Sequence, residues 1–231
     1  MQVYQKHCPI IAPSTMGDEL MTEERAHQTD EIVKTIKKDL SGVFPFARDR
    51  LDAYTRILSY RRQFHSVADF LASDRGIRLL RDTLVAWGMN QRRASIKPFP
   101  AFRESVIRCK RDLVHLEACM QPYDFPPRSQ TCLKAAYNHL HVMQSKAKMI
   151  SNAMLLHFLF PELLMPMNGA DTLSFFYGKS SGSLRRYLEI VELSFQIMRL
   201  PENWNVYLDN EWNATIPKLI DNAVIVLHRR R

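Results

Sequence analysis

Apolar residues recur at helical spacing along most of this chain, and the runs break at proline, glycine and capping residues. Leu20, Ile32, Val33, Ile36 and Leu40 mark a helix over Asp18 to Leu40. Its early Asp30 and Glu31 and late Lys37 and Lys38 suit the helix dipole, and Gly42 stops it. Phe46 to Phe64 puts Leu51, Tyr54, Ile57, Leu58 and Phe64 on one stripe, with Arg48, Arg50, Arg56, Arg61 and Arg62 over much of the remainder. Ser66 can cap a short helix through Leu71, and Asp74 starts another whose Ile77, Leu80, Leu84, Val85 and Trp87 form an apolar side ended by Gly88.

After a basic loop over Met89 to Pro100, Phe102 to Met120 reads as one helix with Val106, Ile107, Leu113, Val114 and Leu116 inward. The Pro-rich stretch Gln121 to Ser129 breaks the pattern and marks the best lobe boundary. Ser129 or Thr131 opens a helix through Gln144, Ser145 restarts the chain into a helix over Met149 to Phe160, and Pro161 limits it. Ser183 caps a long helix through Leu200, and Thr215 caps the last one, with Pro217 in its first turn. The expectation is an all-α chain of about nine to ten helices in two lobes sharing a core. An arm covers 1–17, one lobe 18–120, a connection 121–129, and a second lobe 130–231 has the 149–160 helix at its centre.

Composition supports this. With 231 residues, 46% hydrophobic and only seven glycines, the chain can bury a full core and favours helices over Gly-punctuated β turns. A formal charge of +8 favours contact with polyanions, either nucleic acid or an acidic protein face. Cys8, Cys109, Cys119 and Cys132 form no CxxC pair and have no His-x3-His partner, so no zinc or redox site is written into their spacing. No cofactor motif stands out: GxSxG, GxxxxGK[ST], GxGxxG and HExxH are all missing. No leader pattern or apolar run of membrane-spanning length is present, so a cytoplasmic protein is expected.

The chemistry-bearing candidates are few. Arg92, Arg93, Lys97, Arg103, Arg108, Lys110 and Arg111 set seven cations against the single acid Glu104 within twenty residues. Such a cluster either neutralises phosphates, with Phe99 or Phe102 stacking on an unpaired base, or forms a solvated helix face. His228, Arg229, Arg230 and Arg231 read as a frayed helix end in preference to a polyanion tail. His157, with no ligand partner at helical spacing, reads as a core histidine bonded to backbone.

Ser145, Lys146, His157, Pro161, Leu164 and Pro166, followed by Thr172, Phe175 and Phe176 and preceded by Trp87, Gly88 and Met89, carry a further pattern. It resembles that of a family of small bacterial proteins without a settled activity, whose helical order is similar, at greater distance, to that of the helix-hairpin-helix DNA glycosylases. The resemblance spans Thr83 to Gly178, under half the chain. It implies a hairpin near Gln144 to Lys148 gripping phosphate through backbone N–H groups, and a carboxylate just beyond it supporting attack on a glycosidic carbon. The hairpin here has no glycine, and Asn168 stands where relatives carry Asp. Asp171 is then the carboxylate, with Lys146 or Lys148 assisting, unless Asp171 serves as the N-cap of the Thr172 to Tyr177 helix. The resulting expectation is a non-catalytic helical protein that binds nucleic acid or another polyanion through Arg92, Arg93, Lys97, Arg103, Arg108 and Lys110. A divergent base-excision glycosylase and a helical protein-interaction module are the alternatives.

Overall fold

The computed structural model describes residues 15–38, 40, 47–90, 95–145, 148–209 and 211–231. Among them the chain is all-α, with eleven α-helices and no strand: α1 (Thr15–Lys37), α2 (Arg48–Arg61), α3 (Val67–Ala72), α4 (Asp74–Ala86), α5 (Phe99–Arg108), α6 (Lys110–Cys119), α7 (Pro127–His139), α8 (Met149–Leu159), α9 (Ser174–Tyr177), α10 (Leu184–Met198) and α11 (Ile216–Arg230). A π-helical turn, Gly169–Leu173, leads into α9, and a 3₁₀ turn, Trp204–Tyr207, precedes α11. No helix among the described residues is long and apolar enough to cross a membrane. The expected stop at Gly42 and most of the N-terminal arm lie outside the described residues.

Side-chain caps start α3, α4, α10 and α11, whereas α7 starts at Pro127 with Pro126 before it, not at Ser129 or Thr131. Ser66, Ser183 and Thr215 accept from the backbone N–H groups of Asp69, Arg186 and Lys218, as the sequence predicts. Asp74 is the first helical residue of α4, but the cap is Ser73, whose hydroxyl accepts from Gly76 N–H. Gly88, at φ 85°, ends that helix, because only glycine takes the left-handed region without penalty. The continuous apolar stripe over Phe102 to Met120 is split in the structure. Cys109 is the junction of α5 and α6, with its N–H bonded to the carbonyl of Val106. That i→i+3 bond tightens one turn without interrupting the stripe, which is why the pattern does not show it.

The 149–160 segment forms the most enclosed helix. Ten of the eleven residues of α8 are buried, so it has no solvent stripe and must be covered on all sides. Helices α2, α4 and α10 pack against it. Its three buried polar residues all have partners, Ser151 through its hydroxyl, which donates to the Lys148 carbonyl at 3.0 Å. Asn152 Nδ2 donates to the carbonyls of Tyr137 and Leu140, closing the end of α7. His157 lies against Tyr54 and Phe158, and with Trp87 and Trp212 these residues form an aromatic cluster whose contacting ring centroids lie 5.2–6.4 Å apart.

A second tie fixes α3. Both carboxylate oxygens of Glu117 on α6 accept from Val67 N–H at 2.9 Å, and one also accepts from Arg61 Nη2 at 3.1 Å. Glu117 thus supplies from another helix the anion that the N-terminus of α3 needs. Glu117→Ala leaves that N–H and the half-buried guanidinium without it, and the expected loss is about 1–3 kcal/mol in urea unfolding. A loss under about 0.5 kcal/mol, the scatter of neutral surface changes, would show the tie to be dispensable.

Candidate functional site

Between the end of α4, the start of α8, the 166–171 segment and α11 lies a cavity of about 870 Å³. It brings together the two halves of the Trp87 and Pro166 pattern, separated by some eighty positions in the chain. One wall is apolar, with Met89, Met143, Met149, Met154 and Met167. Trp87, Tyr137 and Trp212 also line it. Four cations, Arg50, Lys148, Lys218 and Arg229, line it against two carboxylates, Asp171 and Asp221, so the lining favours an anionic ligand.

Two of the lining residues, Lys218 and Asp221, belong to a buried polar network. Lys218 Nζ donates to Asp221 Oδ2 at 2.7 Å and to Asn222 Oδ1 at 2.6 Å. It also lies 5.5 Å from the ring centroid of Trp87 and 5.8 Å from that of Trp212, within cation–π reach. Asp221 Oδ1 accepts from the Thr172 hydroxyl at 3.2 Å, and Asn222 Nδ2 donates to the Trp212 carbonyl and to Asn213. Burial pushes the Asp221 carboxyl above its ordinary value, although Lys218 opposes the shift.

Asp171 sits on this cavity, held from two sides. Asn168 Oδ1 accepts from Asp171 N–H at 2.6 Å, and Arg229 Nε donates to Asp171 Oδ1 at 3.2 Å. The cap of this turn is therefore Asn168, and Asp171 is a first-turn residue, contrary to the capping role considered for it. The carboxylate is partly exposed, at 16% of its side-chain surface, and lines the cavity. The terminal cations are likewise held. The last helix runs to Arg230, Arg229 pairs with Asp171, and Arg231 pairs with Glu31 and lies over the ring of Phe175. The expected frayed end is therefore an ordered one.

None of the described residues of the basic cluster lines the cavity. Arg92, Arg93 and Lys146 fall outside the described residues. Lys97 Nζ donates to the Ser105 hydroxyl at 3.0 Å, Arg103 pairs with Asp74 at 2.7 Å, and Arg108 pairs with Glu104 one turn before it. Lys110 opens α6, half-buried. Lys97 nevertheless stays close to the cavity through its backbone. Its N–H bonds the Val142 carbonyl and its neighbour Ile96 bridges to Met143, which lines the cavity.

Lys148, one of the two amines expected to assist Asp171, lines the cavity. Nζ donates to the Asn138 carbonyl at 2.9 Å and lies 5.5 Å from the Tyr137 ring centroid, and burial pulls its pKa below the ordinary lysine value. Arg50, Lys218, Trp212 and Arg229 were not legible as site residues. Arg50 belongs to an ordinary basic stripe and the other three to the last stretch of chain, so only tertiary packing brings them together. A comparison with known proteins finds no matching family model, no matching curated protein and no matching solved structure.

Proposed function

We propose that the chain binds nucleic acid without altering it, by admitting one unpaired base to the cavity and holding the adjoining phosphates at its mouth. The observation that carries this is the meeting, in one cavity of about 870 Å³, of three aromatic rings with more cations than carboxylates. A base stacked on an aromatic side chain contributes about 1–3 kcal/mol whatever its identity. Arg50, which has no carboxylate partner among the described residues, and Lys148 supply phosphate contacts.

Titration of a single-stranded oligonucleotide, followed by indole fluorescence, tests this. Binding should quench the emission and weaken steeply between about 50 and 200 mM salt. Arg50→Ala should reduce the slope of log affinity against log salt by about one. No quenching at low salt, or an affinity indifferent to salt, would reject the reading.

A second reading, base excision, is favoured by one observation, that Asp171 and Lys148 line the same cavity. In it the Asp171 carboxylate stabilises positive charge on the sugar. The Lys148 amine condenses with the C1′ aldehyde of an abasic site, losing water to give an imine. Borohydride should then fix protein to an abasic duplex covalently, and Lys148→Gln should abolish the adduct. Absence of any adduct dismisses excision through an amine and leaves the binding proposal standing.

A further inference from the structure

Helices α6 and α7 run against each other across the Pro-rich connection, and their contact gathers three metal-ligating side chains away from the cavity. His115 and Cys119 are four residues apart on α6, so they project from the same face. Cys132 is on the second turn of α7. The Ser129 hydroxyl donates to the Cys119 carbonyl at 2.6 Å, which sets the register between the helices and brings Cys132 opposite Cys119. The two Sγ atoms are 2.7 Å apart, and a ring nitrogen of His115 and both sulfurs all lie within 4.8 Å of one another.

These groups have little else to do. Among the described residues His115 makes no hydrogen bond or ion pair, and the side-chain partner of each thiol is the other. Cys109 is the contrast, a buried thiol with a backbone carbonyl partner at Ala136 and no second sulfur. The sulfurs face the interior while His115 is exposed, which leaves an approach from solvent on the imidazole side.

We propose that His115, Cys119 and Cys132 form a binding site for a thiophilic d10 cation, with Zn²⁺ the matching ion and water in the fourth position. One imidazole and two thiolates are the donors such an ion takes, and the two negative charges balance its own once both thiol protons have left. Tetrahedral bonds of about 2.3 Å to sulfur place two thiolates close to 3.7 Å apart. The sulfurs must therefore separate by about 1 Å, a side-chain rotation that Cys119 can make at the last residue of α6. A disulfide would use the two sulfurs and leave the convergence of His115 unexplained. The bound ion would tie α6 to α7 beneath the 120–126 connection.

The test uses the full chain carrying Cys8→Ser, which removes the thiol outside the described residues, purified with a reductant and titrated with Co²⁺. The expected result is thiolate-to-cobalt charge-transfer absorption with tetrahedral d–d bands, saturating at one ion per chain and displaced by Zn²⁺. His115→Gln, an exposed change that should leave folding intact, and Cys132→Ser should each weaken cobalt binding at least about tenfold. Cys109→Ala should not. The proposal is overturned if the reduced chain shows no charge-transfer band at about 1 mM Co²⁺, a concentration that detects even millimolar affinity. It is equally overturned if His115→Gln and Cys132→Ser bind as the parent does, or if oxidised glutathione joins Cys119 to Cys132 while the reduced chain takes up no ion.

Discussion

Lys218→Ala should lower stability by about 3–5 kcal/mol, because it leaves the Asp221 carboxylate buried without its cation. In a chain of this size that is a fall in Tm of roughly 6–20 °C, easily read by thermal unfolding. Both side chains of the pair are almost wholly enclosed, and the Lys218 ammonium also binds Asn222 and faces two indole rings. Removing both charges has a different outcome. Lys218→Met with Asp221→Leu leaves no orphaned ion, so the double variant should recover much of the loss, a non-additivity expected of side chains in contact. If the single change costs under about 1 kcal/mol, the network is not what anchors α11 to the Thr172 turn.

Acid should destabilise the protein through His157. Burial pushes this imidazole down to about 3. Nδ1 donates to the Leu164 carbonyl at 2.7 Å, so Nε2, bare in the neutral ring, accepts from the Tyr54 hydroxyl at 3.0 Å. An unfolded histidine takes a proton near pH 6.5, while the folded one refuses it until about pH 3. Below pH 6.5 the unfolded state therefore binds more protons, and stability falls as pH falls, by about 1.4 kcal/mol per unit across that window. Urea unfolding at pH 7 and pH 5 should differ by about 2 kcal/mol from this group alone. His157→Gln should flatten the pH dependence in that window while lowering stability throughout. An unchanged slope in the variant would show that the acid sensitivity belongs to other groups.

Local features were the legible ones. Ser66, Ser183 and Thr215 cap where a short hydroxyl precedes an apolar period, and the chemistry of a cap lies within four residues of chain. The largely apolar run at α8 announces a helix covered on every side, and His157 in its midst is the backbone-bonded core histidine that its lack of ligand partners suggests. What escaped the sequence depends on distance. Asn168 and Asp171 are both acceptable caps by residue type, and the backbone path of the π turn gave the role to Asn168. Arg229 looked like a loose end because the Asp171 it meets is 58 residues earlier. His115 and Cys119 carry a helical spacing of four, but Cys132, which converges on them, is on another helix, and His-x3-Cys is neither a CxxC nor a His-x3-His spacing. The cavity joins Trp87 to Trp212 and Arg50 to Arg229, and no window of sequence contains both members of either pair.

Five thioether side chains border one cavity, and methionine is unbranched, with three rotatable bonds and a polarisable sulfur. Such a surface moulds itself to guests of differing outline at small energetic penalty, so it discriminates poorly by shape. In the proposed complex, directional contacts would come instead from Lys218 and Asp221, which line the same cavity and are held by the hydrogen bonds of Lys218 to Asp221 and Asn222. Oxidising the thioethers to sulfoxides would convert the accommodating side into a polar one, and the range of guests admitted should narrow accordingly.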